Sequence, residues 1–149
     1  MKKIIIVAMA IFGFATSTSA QTFDVGTQTI TATLGFGIDS VIPVAISYEY
    51  GVVNFGGDHK LGVGGYAGFL KSAFYPAAEC NYHFVGVDNL DLYGGARLGF
   101  AMLTNGDGGS SFYKSFDIGA NYYFSSNWGI NAEFGTGMEA LNLGVVYKF

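Results

Sequence analysis

Apolar and polar positions alternate with a period of two along most of this chain, the pattern of strands that show one apolar and one polar face. The clearest case is the terminal stretch Asn142 to Phe149, where Leu143, Val145, Tyr147 and Phe149 alternate with Asn142, Gly144, Val146 and Lys148. Seven earlier segments follow the same rule: Thr27 to Phe36, Pro43 to Val52, Leu61 to Phe69, about Ala77 to Phe84, Asp91 to Met102, Phe112 to Phe124 and Trp128 to Gly135. One row of each is apolar, as in Ile30, Ala32, Leu34 and Phe36, or Phe116, Ile118, Ala120, Tyr122 and Phe124. The other row is polar or glycine. Between the segments lie turns rich in Gly, Asp, Asn and Ser, of which Asn54 to Lys60 is typical and Leu103 to Ser111 is expected to be the most flexible. Eight strands with short connections predict an all-β fold, a closed antiparallel up-and-down β-barrel.

The choice between a soluble and a membrane barrel rests on which row faces out. Strands of these lengths approach the roughly 9 to 11 residues that a tilted strand needs to cross the hydrocarbon. An even strand number with both termini on one side fits single-chain outer-membrane barrels. Composition agrees: 23 Gly and 24 Phe plus Tyr against two Pro suit a wall with aromatics outside and glycines inside, where large inward side chains need room. The expected fold is therefore a transmembrane β-barrel with its apolar rows toward lipid. The chain ends should lie in the periplasm, with connections one, three, five and seven on the outer side. These connections are comparable in length to the inner turns, which weakens any argument for a large external binding surface.

A separate signal places the chain in an exported compartment. Lys2 and Lys3 precede the apolar run Ile4 to Phe14, and Thr18-Ser19-Ala20 offers small residues before Gln21. Residues 1–20 are expected to be a cleaved signal peptide and 21–149 a single barrel domain that begins with a short polar tail, Gln21 to Gly26. Loss of Lys2 and Lys3 shifts the net charge from −4 to −6, so nucleic acid is a poor partner. Cys80 is the only cysteine, so no internal disulfide can form.

By parity, Glu49, Glu79, Asp117 and Glu133 point inward with Arg97, and Lys148 lies near the periplasmic rim. Unpaired buried charge is strongly disfavoured. If Phe84 opposes Leu92 across the fourth turn, Glu79 falls opposite Arg97, and the next hairpin brings Asp117 to the other side of Arg97. This lumen charge network predicts a side-chain plug with Arg97 as hub. A carboxylate-lined proton or ion path is the rival, but an eight-stranded barrel is only wide enough for side chains.

Catalytic signals are weak. Gly62, Gly64 and Ala67 match the loose dinucleotide pattern G-x-G-x-x-A, yet no helix follows, so the glycines are expected to make space. Outer-leaflet lipid-modifying enzymes would need a histidine near a nucleophile at that leaflet. His59 falls in a periplasmic turn and His83 at the periplasmic end of the fourth strand. Two histidines and one outward cysteine make no metal site, and no cofactor is expected.

Two resemblances refine the picture. Asn142, Gly144, Tyr147 and Phe149 occupy positions that resemble the C-terminal assembly signal of bacterial outer-membrane barrels. In addition, P-V-A-I-S-Y-E-Y-G at Pro43 to Gly51, G-G-Y-A-G at Gly64 to Gly68, N-Y-H-F at Asn81 to Phe84 and D-L-Y-G-G at Asp91 to Gly95 resemble a family of small outer-membrane barrels of Bacteroidota, of the OmpA/OmpX type. The resemblance implies a fold and the cell outer membrane, but no reaction. Its implied partners are outer-membrane lipid and, during assembly, the barrel-insertion machinery. A monomeric, non-enzymatic structural or surface-interaction protein is the leading expectation, against a narrow porin-like channel, a lipid-modifying enzyme and a soluble secreted ligand-binding barrel.

Overall fold

The computed structural model describes residues 23–36, 41–104, 108–138 and 140–149. The signal peptide expected over residues 1–20 and its cleavage at Gln21 lie outside them, as do parts of the first, fifth and seventh connections. The strands are β1 (Gln28–Phe36), β2 (Val44–Gly56), β3 (His59–Leu70), β4 (Ala73–Val87), β5 (Leu90–Leu103), β6 (Ser110–Tyr123), β7 (Trp128–Gly135) and β8 (Leu141–Lys148). They pair antiparallel in sequence order, and β1 pairs with β8 from Thr29↔Lys148 to Phe36↔Leu141. Closure gives every strand two hydrogen-bonded neighbours, the condition for strands to cross hydrocarbon.

The two faces of the wall are inverted relative to a soluble barrel. Outward Ile118 and Phe134 keep 67% and 66% of their surface exposed, with Phe116, Leu98 and Phe100 in the same class. Inward Glu49, Glu79, Asn81, Asp91, Arg97, Asn131 and Glu133 are all buried. The wall is thus apolar on its outer face and hydrogen-bonded within.

Inward glycines allow this interior to fit. A Cβ on Gly62 would overlap the Glu49 carboxylate, one on Gly95 would overlap both Asp117 Oδ1 and Asn81 Oδ1, and one on Gly119 would overlap the Tyr93 ring. In each place a side chain from a neighbouring strand, and at Gly95 two, takes the space above a bare backbone. Gly62, Gly64 and Ala67, the G-x-G-x-x-A match, run along β3 with no helix after them.

Several boundaries differ from the sequence-based expectations. β2 and β3 extend to Gly56 and from His59, so Asn54–Lys60 contracts to a Gly57–Asp58 turn, with both Gly56 and Gly57 at positive φ. Lys60 is a buried inward strand residue instead of a turn residue. The fourth strand starts at Ala73, four residues earlier than expected, because Pro76 sits within it on the outward row without ending it. Phe84 does not oppose Leu92: the pairing steps from His83↔Tyr93 to Val85↔Leu92, a bulge that absorbs one residue. Beyond the bulge the register still brings Glu79 opposite Arg97.

The largest correction concerns the start of the domain. Residues 23–26 were expected to form a polar tail, yet Phe23 is only 2% exposed and enters the barrel mouth. Gly26 N donates to Gly51 O at 2.9 Å, and Gly51 N to Thr27 O at 2.9 Å. Asp24 Oδ1 accepts from Val25 N (2.7 Å) and Asn54 Nδ2 (3.1 Å), and Thr27 Oγ1 accepts from Asp24 N (3.0 Å). A side chain at Gly51 would strike the Asp24 carbonyl, so the absence of a Cβ there admits the segment.

Candidate functional site

The inward side chains form two charged layers. In the first, the Arg97 guanidinium serves three acids, as its planar set of five donors permits. Nη1 and Nη2 donate to Glu133 Oε1 and Oε2 at 2.8 and 2.7 Å, a bidentate pair. Nε donates to Glu79 Oε2 at 3.1 Å, and Nη1 lies 3.1 Å from Asp117 Oδ2. The Tyr66 ring lies against the guanidinium, its centroid 4.4 Å from Cζ.

The second layer lies toward the end that carries the termini. His83 Nδ1 meets Asp91 Oδ1 at 2.8 Å and its Nε2 meets Glu49 Oε1 at 3.0 Å. Phe23 stacks flat on the imidazole, with ring centroids 3.8 Å apart and planes 7° from parallel. Lys148 Nζ sits over the Tyr123 ring at 4.5 Å.

Hydrogen bonds join the layers into one network. Tyr93 donates its hydroxyl to Glu133 Oε2 (3.2 Å) and accepts from Asn131 Nδ2 (2.9 Å). Asn131 Nδ2 also donates to Asn121 Oδ1 (2.8 Å), and Asn121 Nδ2 to Asp91 Oδ2 (3.2 Å). The chain therefore runs Arg97, Glu133, Tyr93, Asn131, Asn121, Asp91, His83, Glu49.

Of the residues singled out in the sequence, Arg97 is brought together with Glu79, Asp117 and Glu133. Glu49 is not with Arg97 but with His83. The bidentate role of Glu133 was missed because the contact crosses from β5 to β7 past β6, and neighbouring-strand register alone does not reveal such a contact. Tyr93, Asn121 and Asn131 face inward, as their parity with Arg97, Asp117 and Glu133 predicts, and Asp91 shares the parity of Arg97, so the signal for each was in the sequence. For Phe23 there was none. His59 faces outward, its Nδ1 2.9 Å from the Tyr82 hydroxyl.

Chemically, both nitrogens of His83 face carboxylates and one ring face is covered by Phe23, so among the described residues no hydroxyl or thiol stands where His83 could act on it as a base. Cys80 is exposed on the outer wall. Of the residues matched to the assembly signal, Asn142 reaches the first layer, its Nδ2 3.5 Å from Glu133 Oε1, and Gly144 lies between Thr33 and Asn131 in the register. Tyr147 meets Trp128 and Phe149 edge to face at 4.8 and 5.0 Å, an outward aromatic group at the terminal end of the wall.

No protein-family model matches the chain, and no curated protein matches it. Solved structures do. The chain is similar to a barrel from the de novo design of transmembrane β-barrels, with a TM-score of 0.72 at 18% identity over 86% of this chain and 99% of that one. It is also similar to the N-terminal β-barrel domain of Pseudomonas aeruginosa OprF, with a TM-score of 0.61 at 21% identity over 85% of this chain and 100% of that one. The fold is the closed eight-stranded antiparallel barrel of transmembrane β-barrel proteins.

Proposed function

We propose that this protein is an integral barrel of the bacterial outer membrane, exported with a cleaved leader, whose lumen is plugged by side chains and whose role is structural or surface-interacting rather than catalytic. The observation that carries this is the hydrogen-bonded network from Arg97 to Glu49 inside a wall whose outward rows are apolar. Eight strands leave room for side chains and little else, so a network that crosses the lumen closes it. The sequence motifs that resemble small Bacteroidota outer-membrane barrels support the same compartment. Lipid is the surrounding partner and a monomer the expected state.

The test has two parts. On fractionation the protein should require detergent for extraction from the outer membrane, and reconstituted in a planar bilayer it should show no steady conductance. Recovery in an aqueous fraction would remove the membrane reading. Stepwise currents that scale with added protein would replace the plug with a narrow channel.

Assembly gives a further expectation. Phe149 N donates to Gln28 O at 3.0 Å, and its ring completes the Trp128–Tyr147 group, so the last residue both closes the ladder and extends the aromatic girdle. Deleting Phe149 should lower the amount inserted in the membrane while export and leader cleavage stay intact. Wild-type membrane levels of the truncated protein, measured by immunoblot of fractions, would show that the terminal aromatic is not read during insertion.

A further inference from the structure

The outward rows of the eight strands hold, among the described residues, a single lysine and no arginine or carboxylate: Lys114 on β6 is exposed between Phe112 and Phe116. A lysine in a lipid-facing row is costly in proportion to its depth unless its ammonium reaches headgroups or a negative partner. Lys114 is the cross-strand partner of Leu98 on β5, which puts the two outward side chains side by side.

Leu98 lines a groove of about 450 Å³ in the outer wall. The groove exists because the outward positions across β3 and β4 are small, Gly65 and Ala78, and because the pairing of β4 with β5 skips Tyr75 and Pro76. Proline has no N–H to give to that ladder. The floor thus reaches the backbone at Ala77 and Gly99, and Phe100 forms one side. A second, smaller hollow lined by Ile46 and Tyr48 shares Gly65, so the depression continues across β3.

We infer that this groove seats one acyl chain of an anionic membrane lipid whose headgroup pairs with Lys114. The inference rests on the membrane reading above. An apolar trough in a membrane-facing wall is bathed in lipid chains, and the lone cation beside it selects among headgroups. A zwitterionic lipid fits the trough equally well but gains no net charge attraction. Lys114 lies toward the β5–β6 connection, so the lipid belongs to the leaflet opposite the chain termini.

The experiment uses the full mature chain in vesicles. Cys80 is exposed on the outward row of β4, two residues and about 7 Å along the strand from Ala78, and can carry a bimane label. Quenching is then compared for brominated phosphatidylglycerol and brominated phosphatidylcholine at equal mole fraction. One lysine near an anionic surface is expected to give a preference of about fivefold for the anionic lipid. Lys114→Gln should abolish the preference and leave quenching by phosphatidylcholine unchanged. Gly65→Leu should lower quenching by both lipids, since a Cβ at Gly65 meets no protein atom within 4 Å and starts into the groove that Gly65 lines. Retention of the heat-resistant form on unheated gels confirms that each variant is folded. Equal quenching by the two lipids in the wild type, or a preference that survives Lys114→Gln, overturns the site. Weak quenching by both lipids together with a doubled mass assigns the groove to a second copy of the chain. Protein that does not float with the vesicles overturns the membrane reading itself.

Discussion

Replacement of Arg97 by Met is expected to weaken the barrel by about 3–5 kcal/mol, the usual cost of removing one member of a buried ion pair. Methionine keeps much of the volume but offers no donor, and it leaves Glu79, Asp117 and Glu133 facing one another across the lumen. Glu133 loses most, since it gives up a bidentate pair at 2.7 and 2.8 Å. The check is urea unfolding in vesicles, with loss of the heat-resistant form on unheated gels as a second readout. The defect should be larger at neutral than at acid pH, because protonated carboxyls carry no charge to strand. Combining Arg97→Met with Glu79→Gln, Asp117→Asn and Glu133→Gln should restore part of the loss for the same reason. A single Arg97→Met variant as resistant as wild type at both pH values would show that the three acids do not depend on this guanidinium.

His83→Leu is expected to cost a comparable amount, about 3 kcal/mol, by leaving the buried carboxylates of Glu49 and Asp91 without their shared partner. It has a second consequence that Arg97→Met lacks. The imidazole is the surface on which Phe23 stacks, so the segment from Phe23 to Gly26 loses its inner anchor while keeping its backbone bonds to Gly51 and Thr27. Faster amide exchange at Gly26 and Gly51, and protease cleavage before Thr27, should therefore accompany the loss of stability. His83→Gln, which can still donate to a carboxylate, should recover part of the stability without restoring the stack. If His83→Leu leaves both exchange and unfolding unchanged, Phe23 is held by the backbone clasp alone.

The two variants probe different kinds of legibility. Arg97 could be placed against Glu79 and Asp117 from turn positions, because antiparallel neighbours in a hairpin have a register set by local chain length. That estimate survived the bulge at Phe84 because the bulge lies on the turn side of the pair. Glu133 and Glu49 could not be assigned partners in this way. Their contacts skip a strand, β6 for Glu133 and β3 for Glu49, which passes over Gly62, and depend on the curvature of the closed wall.

What the chain's pattern determined by itself was the eightfold alternation, the outward apolar rows and the inward parity of Glu49, Glu79, Arg97, Asp117 and Glu133, since a period of two leaves every side chain only two faces to choose between. Tertiary structure alone decided which inward residues meet, how far the fourth strand runs past Pro76, and where Phe23 goes. Those outcomes depend on distances across a closed lumen and on space left by glycines in neighbouring strands. Phe23 shows the division most plainly: its flanking sequence is polar and short, and its position is set by the missing Cβ at Gly51 and the imidazole of His83, 28 and 60 residues further along the chain.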